Sequence, residues 1–197
     1  MSAPDSSCAT QAPTGITCAP LPADIVELAA LRERTQVLKA LAARRGLALP
    51  SCGWIITARE TLVLCVRPER WLLLTAPNLP GTAIAGWRTA GAGCAAAVEL
   101  SSALTALHLA GRVVPEVLAR GCRLDLHPQA FLPGSAAATY MAQVPVILAA
   151  LPAGWLLLTP STTARHFAEW LGATARPFGF LSQPSVTVAS LSGEKPP

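Results

Sequence analysis

The sequence predicts an α+β fold built from two ferredoxin-like β-α-β-β-α-β modules packed as a pseudo-repeat, and three observations carry that expectation. The phrase Pro68-x-x-Trp71-Leu72-Leu73-Leu74-Thr75 returns as Pro152-x-x-Trp155-Leu156-Leu157-Leu158-Thr159. Each copy reads as the second strand of a hairpin. The first is entered from residues 62–66 through Arg67-Pro68-Glu69-Arg70, the second from residues 144–151 through Pro152-Ala153-Gly154. Each is followed by a Pro-containing break and a helical stretch carrying a further tryptophan, Trp87 or Trp170, so the copies match in order as well as in wording. A strand reading Trp-Leu-Leu-Leu-Thr buries apolar area on both faces, so Trp71 and Trp155 are read as a repeated element of the core.

Along the chain, residues 1–13 are rich in Ser, Ala, Thr and Pro and predict a disordered tail, as do residues 192–197. Residues 14–101 are expected to form the first module and residues 102–191 the second. The first opens with a short strand at 15–18. An amphipathic helix is expected over 22–45, because Ile25, Leu28, Leu31, Leu38 and Leu41 recur with mostly helical spacing, with Asp24 near its start and Gly46 at its end. The hairpin, a helix at 81–90 and a strand at 97–100 complete this unit. The second opens with a strand at 105–110. A short helix at 113–120 follows, with Pro115 in its first turn and Gly121 ending it. A loop then runs from Leu124 to Gly134, followed by a strand pair over 136–150, the Trp155 strand, a helix at 162–173 and a last strand at 186–191 at a sheet edge. Neither unit follows the parallel alternation of a nucleotide-binding fold.

The chain of 197 residues is long enough to bury a proper core, as one large domain or two small ones in close contact. Charged residues make up 13% and apolar ones 52%, against roughly 25% and 45–50% for typical soluble domains. That apolar surplus needs a destination. Residues 128–164 carry no charge, but Pro133, Gly134, Pro145, Pro152, Gly154 and Pro160 interrupt them too often for a membrane-spanning helix. A permanent subunit interface, which resembles a domain core cut in half, fits the surplus better. The net charge of +4 is scattered as small arginine clusters, at Arg32 and Arg34, Arg44 and Arg45, and Arg67 and Arg70. Without a basic stripe and interleaved aromatics, nucleic-acid binding is not expected.

The chemistry-bearing residues are sparse. Six cysteines, Cys8, Cys18, Cys52, Cys65, Cys94 and Cys122, lack the spacing of a metal knuckle. Residues 1–13 have neither a basic start, an apolar stretch nor a cleavage site, so reduced thiols are expected, with Cys65 and Cys122 as small buried hydrophobes. There is no Gly-rich phosphate loop, no Gly-x-Ser-x-Gly elbow and no His-Glu-x-x-His helix. The three histidines, His108, His127 and His166, are isolated, and Glu99 and Asp125 are the only carboxylates that suggest a pair. No catalytic, cofactor-binding or metal-binding residue is expected in this chain.

Residues 122–134, Cys-Arg-Leu-Asp-Leu-His-Pro-Gln-Ala-Phe-Leu-Pro-Gly, make the reading specific. This stretch resembles the gamma subunit family of heterotetrameric sarcosine oxidase, in which a run into Leu-Asp-Leu-His-Pro is followed by an aromatic, a Pro and a Gly. Val98-Glu99-Leu100-Ser101, residues 143–148 and Glu169-Trp170-Leu171 extend the likeness across residues 47–171. Arg112-Val113-Val114 after Gly111, Glu99 in place of Asp, and residues 159–163 depart from the family pattern. The resemblance implies an aminomethyltransferase-like, folate-binding-like fold. It further implies a non-catalytic structural subunit in a cytoplasmic complex with alpha, beta and delta subunits, one that oxidatively demethylates sarcosine to glycine. Tetrahydrofolate would accept the one-carbon unit and hydrogen peroxide would be a product. FAD, FMN, NAD and tetrahydrofolate are implied in the partner subunits and none in this chain. The equivalent subunit of N-methylglutamate dehydrogenase and a free-standing folate-binding protein are the alternatives. Arg123, Asp125 and His127 are the candidates for contact with a larger subunit or for ordering their own loop, where Asp125 can accept backbone N–H groups or pair with Arg123.

Overall fold

The computed structural model describes residues 15–58 and 60–191. The tails at 1–13 and 192–197, expected to be disordered, lie outside the described residues. Two antiparallel-rich sheets lie face to face, each with helices on its outer side. In chain order the elements begin with β1 (Ile16–Pro20), β2 (Asp24–Ala30), α1 (Thr35–Arg44), β3 (Trp54–Ala58), β4 (Thr61–Arg67), β5 (Arg70–Thr75), α2 (Thr82–Ala90) and β6 (Ala95–Glu99). Then come β7 (Leu104–Ala110), α3 (Val114–Ala119), β8 (Ala136–Met141), β9 (Val144–Leu151), β10 (Gly154–Pro160), α4 (Ala164–Ala175), β11 (Phe180–Ser182) and α5 (Val188–Leu191).

One sheet runs β3-β4-β5-β2-β6 and the other β11-β1-β7-β10-β9-β8. The order β4-β5-β2-β6 in the first is repeated as β9-β10-β7-β1 in the second, with one difference in chain path. The strand beside β7 is not the next one along the chain but β1, from the far end, antiparallel to β7 with Cys18 opposite Leu109. β11, which follows α4, is displaced outward by one position and pairs parallel to β1, with Thr17 opposite Leu181. The first strand of the chain thus closes the second sheet. Gly111 makes the close approach possible, because a Cβ there, at φ 133°, would stand 2.3 Å from the Gly15 carbonyl oxygen.

The repeated Trp-Leu-Leu-Leu strands lie at corresponding places, and their alternation sets the layers. Leu72 and Leu74 of β5 face Leu156 and Leu158 of β10 in the apolar layer between the sheets, joined by Leu62, Leu64, Ile25 and Leu151. Trp71 and Leu73 point the other way, onto Leu38 of α1 and Ile84 and Trp87 of α2. Leu157 and Trp155 point toward Val117 and Leu118 of α3 and Phe167 and Leu171 of α4. Each of these fully buried leucines contributes about 1.5–3 kcal/mol relative to exposure. At one side the sheets are also stitched by backbone: the Ile55 N–H donates to the Gly134 carbonyl (2.8 Å) and the Ala136 N–H to the Gly53 carbonyl (2.7 Å).

Three sequence expectations need correction. Residues 22–45 are not one helix: Asp24–Ala30 is strand β2, paired along β5 and β6, and the helix covers Thr35–Arg44 only. The same segment also alternates, with Val26 and Leu28 toward the helices and Ile25 toward the other sheet. A turn with Glu33 at φ 60° separates the two elements. β3, hydrogen-bonded along β4 from Trp54 to Ala58, is an additional strand. Residues 186–191 do not form an edge strand. They close instead with the one-turn helix α5, where the Thr187 hydroxyl accepts the Ser190 N–H (3.2 Å), and Val188 and Leu191 plug the layer between the sheets.

Candidate functional site

The loop that follows α3 is held firmly at its start. Gly121 packs against Trp170, so closely that a Cβ would lie 2.4 Å from its Cζ2 atom, and Cys122 forms an isolated bridge with Met141. From there the chain alternates. Cys122, Leu124 and Leu126 pack on the core beneath α3 and α4, while Arg123, Asp125 and His127 are exposed. The Asp125 carboxylate accepts the His127 N–H at 2.9 Å, and Nδ1 of His127 accepts the Gln129 N–H at 3.3 Å. The His127 carbonyl then takes the N–H groups of Ala130 (2.8 Å) and Phe131 (2.9 Å). Asp125 and His127 therefore act on their own backbone, as short polar side chains do in turns. No ion pair between Arg123 and Asp125 is present among the described residues.

The consequence of that ordering is the position of Phe131, whose ring stacks on Trp155 with centroids 5.5 Å apart and planes 20° apart. The pair lies along an open cleft of about 450 Å³, walled by this loop, by the turn between β7 and α3, and by the hairpin between β9 and β10. Its lining is apolar and rich in proline, and Arg112 is the one charged side chain among the described lining residues. Arg112 is exposed and has no hydrogen-bond or ion-pair partner among the described residues. Sequence reasoning saw Arg112 only as a departure from a pattern and did not single out Phe131. The cluster of prolines around an aromatic pair was visible in the sequence, but its convergence on one cleft depends on contacts distant along the chain.

Trp71, the counterpart of Trp155, is 2% exposed, and its indole N–H donates to the Pro50 carbonyl at 2.8 Å. The duplicated tryptophans thus have unequal surroundings, one sealed under α1 and α2, the other half-buried beside the cleft. A second cavity, of about 310 Å³, lies where the Arg45 guanidinium covers Trp87 at 4.6 Å from the ring centroid. Arg45 also donates to the Gly86 carbonyl, so this cation is already engaged.

Among the described residues, two buried polar atoms lack a hydrogen bond of good geometry: Nε2 of His108 and the Thr159 hydroxyl. His108 lies opposite Leu156 on one side and Ala19 on the other, and burial pushes its pKa down, only partly offset by the Ala153 backbone. Gly154, at φ 140°, makes room for it, since a Cβ there would be 2.7 Å from Nε2 and 2.3 Å from the Leu109 carbonyl oxygen. Burial also raises the thiols of Cys18 and Cys65 to about 11, which makes them poor nucleophiles at neutral pH. Among the described residues no group of three or more His, Cys, Asp or Glu is placed to hold a metal ion. The arrangement can bind an apolar group beside a negative charge; it offers no acid–base pair.

Comparison with known proteins gives this geometry a context. The chain is 36% identical over 137 residues to the sarcosine oxidase subunit gamma of an Arthrobacter species, a match covering 67% of this chain and 66% of the relative. The chain thus spans just under two thirds of that relative's length. In structure it is similar to one chain of the heterotetrameric sarcosine oxidase from Corynebacterium sp. U-96, determined in complex with pyrrole 2-carboxylate. That likeness has a TM-score of 0.73 and 27% identity, and covers 83% of this chain and 85% of that one. The glycine cleavage system aminomethyltransferase T of Bartonella henselae shares the fold, at TM-score 0.62 and 14% identity, over 90% of this chain and 50% of that one. The family model for the sarcosine oxidase gamma subunit matches residues 34–176, most of the chain, and the chain belongs to that family.

Proposed function

We propose that this chain is the gamma subunit of a heterotetrameric, flavin-dependent sarcosine oxidase, with a structural role in assembly and no catalytic centre of its own. Alpha, beta and delta subunits are its partners in this reading. FAD, FMN, NAD and tetrahydrofolate belong to those partners, and the complex works in the cytoplasm. The observation that carries the proposal is the family match over residues 34–176. The sparse charge of the chain, 13% of residues, agrees with a protein that spends surface on permanent contacts. Exposed Leu79, Tyr140 and Leu181, at 71%, 68% and 56%, supply apolar area outside the core.

Affinity purification of the tagged chain from its native host tests this. The proposal expects two flavin-bearing larger chains and a small one in the eluate, with visible flavin absorbance and sarcosine-dependent peroxide formation. A colourless, unaccompanied chain that binds folate by itself contradicts it. Turnover of N-methylglutamate in place of sarcosine would move the chain to a different oxidoreductase.

A further inference from the structure

We infer that the cleft beside Trp155 and Phe131 is a docking site for an extended segment of a larger partner subunit, one that places a bulky apolar side chain on the aromatic pair and a carboxylate on Arg112. This rests on the subunit reading above and adds the surface and the chemistry of the contact. The cleft is mostly apolar. Four of its walls are prolines, Pro115, Pro128, Pro133 and Pro152, which have no N–H to offer. A site for a small polar metabolite needs several convergent polar groups to fix orientation. Among the described lining residues Arg112 is the one charged group, so what the site can recognise is one apolar body and one negative charge beside it.

Arg112 has the properties of an unused half of an ion pair. Arg112 is exposed and unpartnered among the described residues, whereas Arg120, at the far end of α3, is taken up by Glu116 (4.0 Å) and by the Phe178 ring (4.7 Å). Arginine presents a planar fork that matches a carboxylate with two parallel hydrogen bonds. A buried aromatic anchor ringed by apolar contacts and rimmed by charge is also how interface energy is concentrated. A second copy of this chain is the poorer occupant: a two-fold contact through the cleft would bring like surfaces together, Arg112 among them, in a chain of net charge +4. The loop that forms one wall is already fixed by Asp125 and His127, so the segment meets a preorganised surface.

The experiment uses the assembled complex, recovered on the tagged chain, with the larger flavoprotein chains quantified per mole of tagged chain at moderate salt. Arg112→Glu is expected to lower their recovery by about tenfold, equivalent to ~1.4 kcal/mol, and Arg112→Lys to retain most of it. Arg88→Glu, on the exposed side of α2, serves as the charge control and is expected to leave recovery unchanged. Trp155→Ala is expected to act like Arg112→Glu, and because it also thins the core its melting temperature is read alongside. In hydrogen exchange, residues 111–115 and 126–133 should be protected in the complex relative to the free chain. Undiminished recovery with Arg112→Glu, in a wild-type chain that does capture the larger subunits, overturns this inference and leaves the subunit reading standing. A wild-type chain that captures none overturns both. A free chain that dimerises, with Arg112→Glu abolishing the dimer, assigns the cleft to a second copy and likewise overturns it.

Discussion

Replacing His108 by leucine isolates the one histidine that the fold buries without a hydrogen bond at Nε2. The residue is 8% exposed, and burial holds its pKa below the ordinary 6.5. The unfolded chain, with the ordinary value, therefore binds a proton more readily than the folded one. Stability is complete above about pH 6.5 and falls as the pH falls toward the depressed native value. Each pH unit between the two costs at most ~1.4 kcal/mol. Going from pH 7.5 to pH 5.5, the wild-type chain should lose up to about 1.4 kcal/mol from this group alone, worth ~3–5 °C in a domain of this size. His108→Leu should remove that component, because leucine has no proton to take up. Urea unfolding of both proteins at the two pH values gives the difference directly. Parallel stability loss in wild type and variant would mean that His108 is not held neutral by burial, and the assignment of its environment would be wrong.

Other consequences of the packing are equally direct. Gly154→Ala forces a side chain into positive φ and onto the Leu109 carbonyl, so thermal unfolding should show a loss of more than about 2 kcal/mol, combining backbone strain with a steric clash. Thr159→Val removes a fully buried hydroxyl that has no partner, and should be neutral or stabilising by about 1 kcal/mol; a clear destabilisation would mean that the hydroxyl is satisfied. Trp71→Phe strips the Pro50 carbonyl of its donor and should cost about 2–3 kcal/mol, more than Trp155→Phe at the half-buried counterpart. Equal costs for the two would argue against the unequal surroundings of the duplicated tryptophans.

The duplicated hairpin was legible because its signal is local: a Pro turn followed by an apolar run whose alternation puts Leu72 and Leu74 on one face and Trp71 and Leu73 on the other. Helices α2, α3 and α4 were legible for the same reason. β2 was misread because it is buried on both faces along much of its length. Ile25, Val26 and Leu28 then form a near-continuous apolar run that suits either period, and the β-branched pair Ile25-Val26 was the better guide. β3 has strand composition in Trp54-Ile55-Ile56-Thr57, a run too short and too little alternating to stand out from the loop around it. The insertion of β1 beside β7 leaves no trace in local sequence, since it is decided by pairing between residues some ninety positions apart, such as Thr17 and Ala110. The loop carrying Arg123, Asp125 and His127 was found from sequence, yet its partner walls at Arg112 and Trp155 are assembled only by the tertiary fold.

Native mass spectrometry of the complex recovered on this chain tests the central claim most directly. The account predicts one assembly containing this chain once, two larger flavin-bearing chains and one further small chain, with sarcosine-dependent peroxide formation in the same preparation. A chain that travels alone, or only with copies of itself, would contradict it.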